Sequence, residues 1–134
     1  MQVDVIGFPR EQLFAANDVF GLHLRARRGL EPLAVIRSWA SAALAPRDTG
    51  LGPVYAVPKA LERAGLTVGD LDLVEINEAF ASMAVASTRL LGLDHGIVNV
   101  NGSGCSLGHP IACTGARMVI TLVHELRRRG GGLG

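Results

Sequence analysis

Apolar and polar positions change period several times along this chain, and each change marks a predicted element. "QVDVIG" (Gln2 to Gly7) alternates weakly and stops on glycine, the pattern of a short strand. Pro9 then opens a predicted helix to about Arg28, with Leu13, Phe14, Asn17, Phe20 and Leu24 at helical spacing and Gly29 as its stop. In "PLAVIRSWASAAL" (Pro32 to Leu44), Val35, Ile36 and Trp39 make the first half a strand. "APRDTGLGP" (Ala45 to Pro53) is loop by composition, and a helix follows to Ala64 with Gly65 ending it. Pro58 is expected in the first turn of that helix, because an interior proline would cost about 3 kcal/mol. After the turn "TVGD", "LDLVEI" (Leu71 to Ile76) reads as a half-buried or buried strand.

Asn77 is then expected to N-cap a helix with Glu78 in its first turn. Phe80, Met83, Ala84, Ser87, Leu90 and Leu91 supply its apolar stripe, and Gly92 ends it. "GIVNV" (Gly96 to Val100) is a short predicted strand. The last predicted helix runs from about Pro110 to Arg129, with Ala116, Val119, Ile120, Val123 and Leu126 as its apolar stripe. No strand is expected after it, since only "GGGLG" remains. This alternation of strands and helices predicts an α/β layer built from right-handed crossovers. Ligands in such layers gather beyond the carboxyl ends of strands. Asn77 follows one predicted strand and the loop Asn101 to His109 follows another, so both are expected to reach one crevice.

Composition narrows the class. With 134 residues, 49% of them hydrophobic and 19% charged, the chain suits one domain with a packed core. A net charge of +1 gives no electrostatic case for nucleic acid or an acidic membrane surface. The run Arg127-Arg128-Arg129 sits where it complements the negative end of the last helix. No apolar run approaches the ~20 residues that cross a bilayer, and no signal sequence is evident. Cys105 and Cys113 form no CxxC pair, so metal binding is not expected and reduced thiols in a cytoplasmic protein are.

The candidate chemistry lies in "NGSGCSLGHP" (Asn101 to Pro110), where glycines surround a cysteine and Pro110 holds His109 out of helical conformation. An imidazole so placed can share a proton with a nucleophile or donate to an oxyanion, or it can be an ordinary loop histidine. Asn77 can be a plain cap, or can fix a water through its amide. Cys105 and Cys113 read as packing residues before they read as nucleophiles. His23, His95 and His124 have no partner pattern, and the loop lacks both GxGxxG and GxxxxGK[ST].

Taken together, "NEAF" (Asn77 to Phe80), "VNVNGSGCSLGHP" (Val98 to Pro110) and "TGAR" (Thr114 to Arg117) resemble the C-terminal domain of the thiolases, the acetyl-CoA C-acyltransferases. "GLEPLAVIRSWA", "GLGPVYAVPKALERAGL" and "DLDLVEINEAF" match that domain in the same order. The resemblance divides the chain into an atypical segment, residues 1–26, and an incomplete thiolase C-terminal-like domain, residues 27–134. It implies one half of a thiolase-like α/β fold, a mixed sheet flanked by helices and lacking the last strands.

The resemblance also implies roles. His109 would activate an acylated cysteine and help form an oxyanion hole, which a water held by Asn77 completes. Phe80 would line the acyl or pantetheine side of the pocket, and Gly108 would keep the backbone beside His109 close-packed. The substrate is a coenzyme A thioester, with no separate cofactor, and the setting is lipid and fatty acid metabolism. The implied nucleophilic cysteine belongs to an N-terminal half absent here, and the implied acid/base cysteine to a C-x-G-G-G motif beyond Gly134. Cys105 and Cys113 match neither. The segment is therefore expected to be inactive alone, completed by a complementary thiolase half or a homo-oligomer. The alternatives are a non-catalytic acyl-CoA- or protein-binding module, or a remnant of a degraded gene.

Overall fold

The computed structural model describes residues 3–6 and 28–134, so the helix expected from Pro9 falls outside the described residues but for its last position. Strands β1 (Val3–Ile6), β2 (Val35–Ser38) and β3 (Gly132–Leu133) pair in the order β2-β1-β3, and both pairings are parallel. Asp4 stands opposite Val35 on one side and Leu133 on the other, and the β1–β2 register slips between Val5 and Ile6. Both early strands thus form where the alternating and β-branched runs place them.

The glycine tail departs from expectation by forming β3. Gly130, Gly131 and Gly132 all take positive φ, which turns the chain back without steric cost. Gly131 N–H closes the preceding helix on Leu126 O at 2.8 Å. A Cβ at Gly132 would meet Asp72 Oδ2 at 2.6 Å and displace it, and the φ of 140° there also favours glycine. That carboxylate accepts Leu133 N–H at 2.9 Å, and Asp72 N–H donates to Leu133 O at 2.9 Å.

These bonds hold the expected strand Leu71 to Ile76 beside β3, yet that segment makes only an isolated parallel bridge, Val74 with Val98, outside the three-stranded sheet. The expected strand Gly96 to Val100 shrinks likewise. β3 offers two residues to pair with. On the other side, the Asp94 carboxylate accepts Gly96 N–H at 2.9 Å and tightens His95–Ile97 into a 3₁₀ turn, while Asn99 leaves extended conformation at φ 50°.

The described residues include the α-helices α1 (Gly52–Ala64), α2 (Ala81–Leu90), α3 (Gly104–Leu107) and α4 (Thr114–Arg128). A 3₁₀ helix, Pro46–Leu51, fills most of the expected loop before α1. Because α1 already begins at Gly52, Pro58 lies inside it and not in the first turn. Its ring is exposed, on a face where water can reach the carbonyl that lacks its partner. Gly65 ends α1 at φ 69°, as expected. Ser38 Oγ donates to Ala60 O at 2.6 Å and Arg63 Nη1 to Trp39 O at 2.6 Å, docking α1 on β2. The Arg63 guanidinium also stands 5.5 Å from the Trp39 ring centre.

α2 begins four residues after the expected cap, with Phe80 and not Asn77 at the N-cap position. Its buried face is Ala84, Ser87 and Thr88, while Phe80 and Leu90, expected on the apolar stripe, are exposed. α4 likewise starts late. Pro110 O receives the N–H groups of Cys113 and Thr114 at 2.8 and 2.9 Å, so Pro110 to Cys113 form a turn ahead of the helix. Its stripe is rotated: Leu122, Val123 and Leu126 are buried, whereas Ala116 and Ile120 face outward.

Two apolar clusters result. Leu73, Leu122, Val123 and Leu126 form one, with Ala34 and Val119 against it. Ile76, Ala84 and Leu93 form the other, with Val74 and Val98 among its flanking residues. Fully buried leucines such as Leu73 and Leu126 contribute about 1.5–3 kcal/mol each. Both clusters grip the segment Leu73 to Ile76, and so fix the direction in which residue 77 leaves the sheet.

Candidate active site

Asn77 follows the bridge strand and is freed from capping by the late start of α2. Asn99 holds that exit. Its Oδ1 accepts Ile76 N–H at 2.7 Å and its Nδ2 donates to Ile76 O at 2.9 Å, so one side chain replaces a strand neighbour. Ser103 Oγ adds a second bond to Ile76 O at 2.9 Å. Arg117, from α4, donates to Ser103 Oγ at 3.1 Å and to Glu75 Oε2 at 2.6 Å. Burial pushes the Glu75 carboxyl above its usual range, opposed by the Arg117 bond and charge and reinforced by Glu78.

The glycine loop is fastened to the same strand end. Glu78 Oε2 accepts Cys105 N–H at 2.9 Å, so this carboxylate serves α3 and not the first turn of α2. Gly104 sits where a Cβ would approach Glu78 O to 2.8 Å and Asn77 Oδ1 to 3.1 Å. The close backbone approach expected of Gly108 is therefore found at Gly104. Gly108 has nothing within 4 Å of an added Cβ, and its φ of 97° is what asks for glycine.

This scaffold brings Asn77 and His109 together across 32 positions of sequence. Asn77 Nδ2 lies 3.2 Å from His109 Nε2 and 3.4 Å from Nδ1, while Asn77 Oδ1 is turned inward, buried and without a hydrogen-bond partner. The convergence expected of these two strand ends is met. His109 is itself exposed, with Nδ1 2.8 Å from Thr114 Oγ1. Phe80 is 73% exposed and lies outside the cavity wall, to which the adjacent Ala79 contributes.

Asn77, His109 and Thr114 line a cavity of about 480 Å³, within the range of small-molecule sites. Its remaining wall is largely apolar, with Ala60, Leu61, Ile76, Met83 and Val119 among the lining residues. An amide N–H and an imidazole at the edge of an apolar space can polarise a carbonyl oxygen and move a proton, provided the two act on one atom.

Cys105 is exposed, and desolvation by the loop, then the Glu78 carboxylate, push its thiol above the usual range. The thiolate is disfavoured there, which leaves it a poor nucleophile. Cys113 is exposed beside the start of α4. Among the described residues, no group of three or more His, Cys, Asp or Glu could hold a metal. Nor is any described helix long and apolar enough to cross a membrane. Sequence reasoning assigned no role to Asn99, Ser103, Glu75 or Arg117. Their signal was present in the motifs, but their partners lie far off in sequence.

The family model described as Thiolase, C-terminal domain matches residues 30–134. An acetyl-CoA acetyltransferase of Shinella zoogloeoides is 54% identical over 105 residues, which cover 78% of this chain and 27% of that protein. The beta-ketothiolase BktB of Cupriavidus necator is 56% identical, with the same two coverages. The peroxisomal 3-ketoacyl-CoA thiolase B of Mus musculus is 54% identical over 76% of this chain and 24% of its own length. The crystal structure of the Bacillus anthracis acetyl-CoA acetyltransferase superposes with a TM-score of 0.76 at 46% identity, covering 83% of this chain and 29% of that one. The chain thus spans roughly a quarter of the length of these relatives.

Proposed function

The chain belongs to the thiolase family as a C-terminal domain, and from that premise we propose that it carries the oxyanion-binding side of a thiolase-type acyl-transfer site. The observation that supports this most is the 3.2 Å approach of Asn77 Nδ2 to His109 Nε2 at the edge of an apolar cavity. In this reading the substrate is an acyl-CoA thioester. As a nucleophile attacks its carbonyl, charge collects on the oxygen, and donors held in place stabilise it without reorganising. His109 supplies the ring that takes and returns the proton, and Asn77 orients the water beside it.

The covalent step belongs to a cysteine outside these residues, because the Cys105 thiol is pushed above its usual range and its Sγ is directed at Glu78 O. A complementary thiolase half supplies that cysteine, in one assembly with this domain. Without it the chain binds and does not turn over. The relatives carry names from acetyl-CoA and 3-ketoacyl-CoA chemistry, and one is peroxisomal by name. We place this chain in the same class of reaction and in the cytoplasm.

The test uses acetoacetyl-CoA and CoA, with thiolysis followed by the loss of the 3-oxoacyl-CoA enolate absorbance. No turnover is expected from the chain alone, and turnover is expected once partner segments carrying both the nucleophilic and the acid/base cysteine are added. A His109→Ala chain with the same partners is expected to be inactive. Calorimetry with CoA and acetyl-CoA separates the remaining outcomes. Saturable binding without turnover in any mixture would support a binding module, and no binding would remove both readings.

A further inference from the structure

We propose that the Thr114 hydroxyl is a positioning group that holds neutral His109 as its Nδ1–H tautomer, leaving Nε2 as the ring's acceptor. The inference deepens the reading of His109 as the proton-handling residue, and rests on it for its chemical consequence.

The argument turns on one hydrogen atom. Thr114 is the first residue of α4 and is buried. Its Oγ1 lies 3.1 Å from Pro110 O, an acceptor that can only receive. With the hydroxyl proton given to that carbonyl four residues back, the bond a threonine in a helix commonly makes, the oxygen offers lone pairs to His109. The contact from Nδ1 to Oγ1 is 2.8 Å, a full hydrogen bond, so its proton comes from the ring.

This choice opposes the default, because a free neutral histidine favours Nε2–H in water. Holding the less common tautomer requires a fixed acceptor at Nδ1, and Thr114 is fixed by its burial and by its bond to Pro110. The turn Pro110 to Cys113 ahead of α4 then gains a purpose: it places the hydroxyl five residues from the ring it orients. With Nδ1–H engaged, a thiol proton can pass to the Nε2 lone pair. The S–H bond breaks, an N–H bond forms, and the resulting ring donates from Nε2 while Thr114 still accepts at Nδ1.

The experiment is long-range ¹H–¹⁵N correlation on the ligand-free chain labelled in histidine, at about pH 8.5, above the ordinary histidine range. His109→Gln identifies the resonance among the four histidines. The expected wild-type result is a protonated Nδ1 and an unprotonated Nε2. Thr114→Ser is expected to keep that pattern, and Thr114→Val, which fills the same space without the oxygen, to shift the proton to Nε2. Nε2–H in the wild type, or Nδ1–H retained in a folded Thr114→Val chain, would overturn the proposal. Should the valine variant fail to fold, the wild-type and serine spectra still decide it. A chain that shows Nδ1–H yet binds no CoA thioester would sink the functional reading and leave the tautomer assignment standing.

Discussion

Glu125 is the most heavily engaged carboxylate among the described residues. Its oxygens take Arg128 at 2.6 and 2.9 Å and Arg129 at 2.8 Å. The bonds from Arg128, then Arg129, with Asn101 also contributing, hold its carboxyl down at about 2. An acid depressed on folding stabilises above its unfolded value of about 4.3 and loses that contribution as pH falls through the folded one. Wild type and Glu125→Gln should therefore differ by a constant amount above about pH 5, and the difference should vanish towards pH 2. Denaturant midpoints taken across that range check it. Arg117 presents the opposite sign. Its loss in Arg117→Met would leave the buried Glu75 carboxylate without its cation, at about 3 kcal/mol by urea unfolding near neutral pH. Because burial already raises the Glu75 carboxyl, that deficit should shrink as pH falls and the group takes up a proton. At this scale the sequence pointed to Asn77 and His109 through their motifs. It did not point to Asn99, since a side chain that pairs with both backbone groups of Ile76 looks like any loop asparagine until residue 76 is beside it.

Elements were legible where local chemistry decides them. Gly65 stopping α1 and the β-branched run of β2 needed no tertiary partner to be read. Starts were harder. Asn77 looked like a cap because caps are its common use, but the Asn99 and Ser103 bonds to Ile76 hold residue 76 in place, and α2 begins only at Ala81. The stripe on α4 was displaced because its neighbours, Leu73 and the returning tail, lie to one side of the expected face. Pro58 is the clearest conflict between local preference and fold. Pro58→Ala would restore the N–H that α1 lacks and remove a steric clash, so it should raise stability by about 1–3 kcal/mol, read as a higher melting temperature. Gly104 carries the reverse prediction. Gly104→Ala drives a methyl group into Glu78 O and Asn77 Oδ1, and should cost about 1–3 kcal/mol while moving Asn77 off the imidazole. The His109 resonances in the same labelled chain would record that movement.

For the whole molecule, the α/β class followed from the alternation of periods, but the strands proved shorter than their sequence patterns because each one's length is set by its neighbour's. Ile111, which lines the cavity, is 84% exposed, and Leu107 on α3 is 57% exposed. Ile111→Asp should thus leave the chain's own stability within about 0.5 kcal/mol, yet weaken assembly with a complementary half, as measured by the partner concentration needed for turnover. The placement of β1 carries a different consequence. It lies between β2 and β3, so its partners come from opposite ends of the described chain. A ribosome adding roughly 5–20 residues per second delivers Gly132 some 6–26 s after Val3. Through that interval one side of the nascent strand stands open, a window in which a holding chaperone, or a neighbouring nascent copy, could engage it before its own tail arrives.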